Sequence, residues 1–399
     1  MEFLRTFPCV GIIGPRQCGK TTFLQTLPKS WKRFDLEKGS DFQVVADDPD
    51  LFLRLNPNHI AIDEAQNLPS LFPALRVAID SDRSKTGRFV IAGSSSPDLL
   101  SSISETLAGR IGVIEMAPFA WSEVHARSGT TAMEVIADRF TSAHDVVRVA
   151  TGRGDVNAVH DYWFRGGYPE PWLKKTDRFR NLWMDQYVRT YLYRDVGRLF
   201  PGLDRNKFRL FLQLLGGLSG EILNYSRVSR SLGVSQPTAR DYFEIAHGTF
   251  LWRRVPAFEK NAIKRIVKHP KGYLRDSGLL HHLLRIPDLD ALLGHPQKGH
   301  SWEAMVVEEI IRQLTFMGIS FDYFYYRTAA GAEVDLIIEG DFGLIPVEIK
   351  HAQRVTRREL RPLADFIKER DCRFGLVINN DTSARLYDEK IIGLPFSFL

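Results

Sequence analysis

The stretch Gly14-Pro15-Arg16-Gln17-Cys18-Gly19-Lys20-Thr21 constrains this chain of 399 residues more than any other. It satisfies the spacing Gly-x4-Gly-Lys-[Ser/Thr] in full. The local context agrees: Val10 to Ile13 reads as a buried strand before it, and Thr21 to Leu27 has helical period after it. The two glycines let backbone N–H groups wrap phosphate oxygens, and the helix N-terminus adds the positive end of its dipole. Lys20 reaches the β and γ phosphates, and Thr21 binds Mg²⁺ through its hydroxyl. With glycine near 7% of an average chain, such a string arises by chance in on the order of one in a hundred chains this long. The nucleotide-binding set is therefore Gly14, Pro15, Arg16, Gln17, Cys18, Gly19, Lys20, Thr21 and Thr22.

A loop that serves hydrolysis needs a carboxylate at the end of a neighbouring buried strand. His59-Ile60-Ala61-Ile62-Asp63-Glu64 supplies it. Asp63 is placed to support the Mg²⁺, and Glu64 to orient and polarise the attacking water. The strand Phe89 to Ala92 ends in Ser94-Ser95-Ser96, a polar cluster at the edge where α/β sheets put their ligands. Ser94 is the candidate γ-phosphate contact. Arg110 follows a helix-like stretch from Asp98 to Ala108 and precedes the strand Ile111 to Met116. Two roles are open for it: an arginine finger in a neighbouring subunit's site, or a surface ion pair. Short apolar runs alternating with helical segments from Pro8 to Pro118 argue a parallel sheet with crossover helices.

These residues resemble the AAA superfamily of ATPases, and within it a prokaryotic group of ATP-binding proteins whose phosphate loop reads GPRQxGKTT. Gly14 to Thr22, Asp63-Glu64-Ala65-Gln66, Ala92-Gly93-Ser94-Ser95 and Leu107-Ala108-Gly109-Arg110 followed by Pro118-Phe119 carry the resemblance. It implies ATP and Mg²⁺ as cofactors and a C-terminal domain of unknown function. The usual N-terminal lead-in segment is expected to be largely missing, which leaves adenine recognition open.

Beyond the first sheet, Ala120 to Ser219 has few strand signals and reads as helical. Tyr225 to Phe243 then has the outline of a helix-turn-helix: Gly233 serves the turn, Ser235 caps the second helix and Pro237 lies in its first turn. Gln236, Thr238 and Arg240 stand near its start. Leu251 to Ala257 reads as a strand and completes a winged-helix outline, a fold that docks proteins as often as it reads DNA. The net charge of +5, from 53 Lys plus Arg against 48 Asp plus Glu, is too small to decide by itself. Its localisation says more. Arg253, Arg254, Lys260, Lys264, Arg265, Lys268, Lys271 and Arg275 share one stretch with Glu259 as its single acid, so phosphate contact is expected there. Lys271-Gly272-Tyr273 matches a basic segment of the same ATPase group, so the resemblance covers nearly the whole chain.

The C-terminal part carries a second constellation. Trp302 to Leu314 is an amphipathic helix with Trp302, Val306, Val307, Ile310, Ile311 and Leu314 on its apolar stripe. Glu303 falls near the centre of that stripe, whereas Glu308 and Glu309 fall outside it. A carboxylate aimed at the buried side costs several kcal/mol unless something pairs with it, so Glu303 needs a partner. In Ala332 to Ile338, Val334, Leu336 and Ile338 are expected on one face and Asp335 on the other. In Leu344 to Lys350, Glu348 and Lys350 project opposite Ile345, Val347 and Ile349. An acid on a helix, an acid on one strand and Glu-x-Lys on the next can hold Mg²⁺ and stabilise a water attacking phosphate. The arrangement resembles the PD-(D/E)xK nuclease fold, with Glu303, Asp335, Glu348 and Lys350 in the matching places. A structural ion network centred on Lys350 is the alternative.

Three widely spaced cysteines (Cys9, Cys18 and Cys372) build neither a disulfide framework nor a four-ligand zinc site. No apolar run approaches the roughly 18 residues that span a bilayer. A cytoplasmic α/β protein without membrane contact is expected, in four parts: a P-loop ATPase core over 1–125, a helical lid over 126–219, a winged helix with basic segment over 220–294 and a restriction-endonuclease-like domain over 295–399. Its expected activity is Mg²⁺-dependent ATP hydrolysis that repositions the last two parts on DNA, in a monomer or a homo-oligomer. An ATP-regulated DNA nuclease and a nucleotide-gated protein-binding switch are the alternatives.

Overall fold

The computed structural model describes residues 2–94, 103, 105–125, 132–150, 155–190, 196, 200, 202–259 and 269–399. Ser95, Ser96, Lys260, Lys264, Arg265 and Lys268, and residues 191–195 of the aromatic and Arg-rich stretch, lie outside them. The chain divides into two compact units, Met1–Pro118 with Gly248–Phe250, and Phe119–His247 with Leu251–Leu399.

The first unit is a parallel five-stranded sheet in the order β2-β3-β4-β1-β5, formed by β1 (Cys9–Gly14), β2 (Lys32–Asp35), β3 (Ile60–Asp63), β4 (Phe89–Ser94) and β5 (Ile111–Glu115). β1 and β3 are buried at every position, which is why they read as continuous apolar runs rather than as alternating ones. β2 is the strand that pattern reading misses. It lies at the sheet edge, and Lys32 and Arg33 are exposed, so it lacks the apolar run of its neighbours. With β4 inserted between β1 and β3, the C-terminal ends of all three strands meet at one edge. Ser94 pairs in register with Gly14, and Ile62 with Ile91.

The second unit contains two sheets. β6 (Glu221–Ile222), β7 (Trp252–Val255) and β8 (Lys271–Leu274) form an antiparallel sheet in the order β6-β8-β7. The helix Arg205–Leu218 precedes β6, and the helices Tyr225–Leu232 and Gln236–Gly248 lie between β6 and β7 in sequence. Tyr225, Val228 and Leu232 are buried at helical spacing, as are Ala239, Tyr242, Phe243 and Ala246. Asn224 caps the first of these helices by accepting the Arg227 N–H at 2.9 Å. Gly233 ends it in the left-handed region (φ 62°), where glycine carries no Cβ penalty. Ser235 accepts the Thr238 N–H at 3.2 Å.

The other sheet is six-stranded, in the order β13-β14-β12-β11-β10-β9, from β9 (Phe321–Arg327), β10 (Glu333–Gly340), β11 (Gly343–Ile349), β12 (Gly375–Asn379), β13 (Arg385–Asp388) and β14 (Ile391–Pro395). The helix Lys298–Phe316 precedes β9, and the helix Arg361–Glu369 separates β11 from β12. Thirteen of the nineteen residues of Lys298–Phe316 are buried, so its environment is not a single stripe. The expectation that Glu308 and Glu309 lie outside the buried side is corrected: both are buried. Arg253 and Arg275 donate to Glu308, while the Trp121 N–H, the Tyr162 hydroxyl and the Gln313 amide donate to Glu309. Periodicity cannot foresee partners such as Trp121 and Tyr162, which arrive from more than a hundred positions away, or Arg253 and Arg275 from other elements. The single face expected for Val334, Leu336 and Ile338 is corrected as well. An irregularity in β10 between Val334 and Ile337 places these two with Leu363 and Phe366, while Leu336 and Ile338 pack with Val306 and Ile310.

Among the described residues no helix is long and apolar enough to cross a membrane.

Candidate functional site

The phosphate loop runs from the end of β1 into the helix Lys20–Thr26. Two glycines are forced by geometry. A Cβ on Gly14 would stand 2.0 Å from the Met116 carbonyl oxygen, and Gly19 holds φ +103°, a conformation L side chains avoid. Lys20 is buried, and its Nζ donates to the carbonyls of Gly14 (3.0 Å) and Pro15 (2.8 Å), folding the ammonium back over the loop. The Cys18 thiol is buried against the Met116 carbonyl at 3.6 Å. Arg16 is half-buried, and Gln17, Thr21 and Thr22 are exposed.

Thr21 Oγ1 donates to Asp63 Oδ2 at 2.6 Å, and the Glu64 N–H donates to Asp63 Oδ1 at 3.0 Å. This contact joins the phosphate loop to the carboxylate strand. Burial pushes the Asp63 pKa up; the Thr21 hydrogen bond opposes the shift and Glu64 adds to it. Glu64 is in the left-handed region (φ 52°), and its carboxylate accepts from the Gln66 side-chain amide. Ser94 is placed by its backbone, opposite Gly14 in the register.

Sequence reading missed two further acids at this edge, Asp35 and Glu37, because it missed the strand that ends at Asp35 and leads into Glu37. The Glu37 pKa is raised by burial first and by Glu64 next, while Arg16 lowers it, so Glu37 shares the field of the loop and of the carboxylate strand. The available signal was the lone apolar Phe34 among charged residues, too short to define a strand. Arg110 makes a two-pronged ion pair with Asp80, both contacts at 2.8 Å, and also donates to the Ala108 carbonyl.

In the second unit, Glu303, Asp335, Glu348 and Lys350 do come together, with companions. Lys350 pairs with Glu348 at 2.6 Å, and the Ile349 N–H donates to Asp335 Oδ2 at 2.8 Å. Burial and then Glu303 raise the Asp335 pKa to about 7; burial and then Asp335 raise that of Glu348 to about 8. Lys271 lies among these acids, with its Nζ on Glu303 (2.6 Å) and Glu333 (2.8 Å). Its expected place at an external phosphate is thus corrected. Arg253 is corrected in the same way, being buried against Glu308. A buried charge must be paired, and both cations found carboxylates inside the chain. Arg254 is half-buried and paired with Glu244. Gln236 and Arg240 are exposed, the latter over the Tyr225 ring at 5.2 Å, and Thr238 is half-buried.

A sheet with β4 between the phosphate-loop strand and the carboxylate strand defines a nucleotide-binding α/β core, and an AAA domain model matches residues 6–125, so the N-terminal unit carries an AAA-family ATP-binding domain. Two further models, each described as a domain of unknown function (DUF8612 and DUF4143), match residues 156–290 and 298–399. Uncharacterized proteins of Mycobacterium tuberculosis and Mycobacterium bovis are each 35% identical over 338 residues, spanning 84% of this chain and 68% of theirs; the chain belongs to the family of these two proteins. Among solved structures, a Thermotoga maritima RuvB variant aligns at 16% identity over 65% of this chain and 87% of its own, with a TM-score of 0.28. At that TM-score the likeness bears on neither mechanism nor partner.

Proposed function

We propose that this protein is a Mg²⁺-dependent ATPase whose turnover repositions its C-terminal parts on DNA, with the parts running over 1–125, 126–219, 220–294 and 295–399. The observation that carries the ATPase reading is the 2.6 Å contact between Thr21 and Asp63. Thr21 donates its hydroxyl hydrogen bond to the carboxylate, which leaves its oxygen lone pairs for a hard cation, so this pair of oxygen ligands fits Mg²⁺. When bound, the ion neutralises charge on the β and γ phosphates.

The chain's own residues supply the rest. Lys20 leaves the two loop carbonyls for phosphate oxygens, exchanging neutral acceptors for charged ones, which make stronger hydrogen bonds. Glu64 orients and polarises the attacking water, and the Gln66 amide holds its carboxylate until then. In a homo-oligomer, Arg110 would exchange Asp80 for a neighbour's γ-phosphate, and Ser94 would contact that phosphate from the end of β4. Glu64→Gln keeps the shape and removes the base, so ATP turnover is expected to fall by on the order of 10²–10⁴-fold while nucleotide binding persists. Unchanged turnover sinks the mechanism.

The DNA reading is supported by the order helix, β6, helix, helix, β7, β8, which is that of a winged helix, and by the exposed Gln236 and Arg240 at the start of its second helix. Lys264, Arg265 and Lys268 belong to the same basic stretch. Duplex affinity should drop steeply with salt; an affinity indifferent to salt argues against phosphate contacts.

A second reading, a DNA nuclease under ATP control, is favoured by the order helix, β9, β10, β11, helix, β12 and by the gathering of Glu303, Asp335, Glu348 and Lys350. It predicts cleavage with Mg²⁺ or Mn²⁺ that Asp335→Ala abolishes. Intact DNA under every condition would rule it out.

A further inference from the structure

Lys271 changes what the C-terminal acids can do. Its side chain is 5% exposed, it donates to Glu303 Oε1 and Glu333 Oε1, and it stands 3.9 Å from Asp335 Oδ1. Tyr273, two residues along the same strand, donates its hydroxyl to the same Glu303 oxygen. Among the described residues, no group of three or more His, Cys, Asp or Glu is disposed to hold a metal ion as the chain stands.

Two observations show that the cluster still lacks positive charge. Glu303, Asp335 and Glu348 face Lys271 and Lys350, one carboxylate more than there are ammoniums, while Glu333 at the rim also has the half-exposed Arg327 at 3.8 Å. Burial first, and then the neighbouring carboxylate (Glu303 for Asp335, Asp335 for Glu348), raises the pKa values of these two acids. Independently, Glu348 is 6% exposed and its Oε2 has no hydrogen-bond partner, although Oε1 takes Lys350. The register Leu336↔Val347 continues one step to set this glutamate beside Asp335, where a like charge is unfavourable. An orphan carboxylate oxygen next to a second carboxylate is the complement of a cation.

We propose that the cluster is a divalent-cation site that the chain closes with its own lysine: Lys271 Nζ takes the ion's place, and Mg²⁺ or Mn²⁺ enters only when β8 withdraws it. Without Lys271, three carboxylates face Lys350 alone, an excess of two negative charges, which is the charge of one such ion. The ligands are hard oxygens, as these cations require. Lys271 opens β8, and β8 is the central strand of the sheet shared with β6 and β7, so whatever moves that sheet moves the lysine. The proposal deepens the nuclease reading, whose residues it shares, but metal uptake is read without ATP or DNA, so a failure to cleave DNA leaves it standing.

The test is Mn²⁺ binding to the full-length, nucleotide-free chain, followed by the electron paramagnetic resonance of the free ion, with Asp63→Ala present throughout to silence the phosphate loop. The chain with Lys271 intact is expected to take up no Mn²⁺ at the cluster. Lys271→Met should gain one site, at least about tenfold tighter than any before, and adding Glu348→Gln should remove it. The proposal is overturned if the chain with Lys271 already binds an ion that Glu348→Gln abolishes, or if a Lys271→Met chain with native circular dichroism gains none. Should Lys271→Met not fold, reductive methylation of the natural chain decides. Lys271 should react at least about tenfold more slowly than the exposed Lys29 and Lys38, as an ammonium spent on carboxylates must. Methylation at the surface rate overturns the plug.

Discussion

Two buried lysines, one in each unit, show how the same side chain is kept ready in one place and used up in another. Lys20 is 6% exposed and Lys271 4%, yet their partners differ in kind. Lys20 rests on the neutral carbonyls of Gly14 and Pro15, which an arriving phosphate can outbid electrostatically. Lys271 rests on Glu303 and Glu333. Burial works against its charge, but Tyr273, Glu303, Asp335 and Glu333 together hold its pKa well above the ordinary lysine value. Availability for a ligand is therefore set by the charge of the resting partners rather than by burial.

The largest effect expected from this contrast is on stability. Lys271→Met leaves buried carboxylates uncompensated and should cost about 3–5 kcal/mol in denaturant unfolding of the second unit. Lys20→Met, which strands only carbonyls, should cost no more than about 1–2 kcal/mol in the first. Equal costs would erase the distinction.

Next in size is a pH dependence. The folded-state pKa values of Asp335 and Glu348 lie above their unfolded ones, so the folded chain holds those protons more tightly. The stability this contributes is full below about pH 4 and is lost as the pH rises toward about 8, on the order of 2–4 kcal/mol for the coupled pair. Glu348→Gln should flatten that fall. Glu308 runs the other way: burial opposes its charge, yet Arg253, Arg275 and Arg312 hold its pKa down to about 2. Its contribution is present above its unfolded value and lost only as the pH falls toward 2. A unit whose stability rises monotonically from pH 4 to pH 8 contradicts the first assignment.

Lys20→Met should weaken ATP binding by about 1.5–3 kcal/mol, or roughly 10–100-fold, measured by titration calorimetry. The smallest effect belongs to the helix pair of the second unit. Arg240→Ala should lower the salt slope of duplex binding by about one unit, with little loss of fold because the side chain is exposed. A slope that does not move takes Arg240 out of the contact.

How far these features can be read in advance differs between the two regions for a physical reason. The phosphate loop and its strands are local: Gly14, Gly19, Lys20 and Thr21 act through backbone geometry within a few residues, and the neighbouring strands are apolar up to the polar residues, Asp63 and Ser94, that end them. The edge strand Lys32–Asp35 has no such run, and with it went Asp35 and Glu37. In the second unit, the buried acid Glu303 could be placed by helical phase, and its need for a partner followed. That the partner is Lys271 could not be foreseen, because it lies 32 residues away, on a strand of a different sheet.

The amino-acid sequence alone determined the nucleotide-binding core, the helix-turn-helix outline and the demand of Glu303 for a partner, since each rests on spacing along the chain or on one group's cost of burial. Tertiary structure alone decided which cations were already committed. Arg253 and Lys271, two members of one basic stretch, turn inward because carboxylates on the helix Lys298–Phe316 await them. Coulomb energy in a buried setting depends on distance through space, and that distance exists only after the chain has folded.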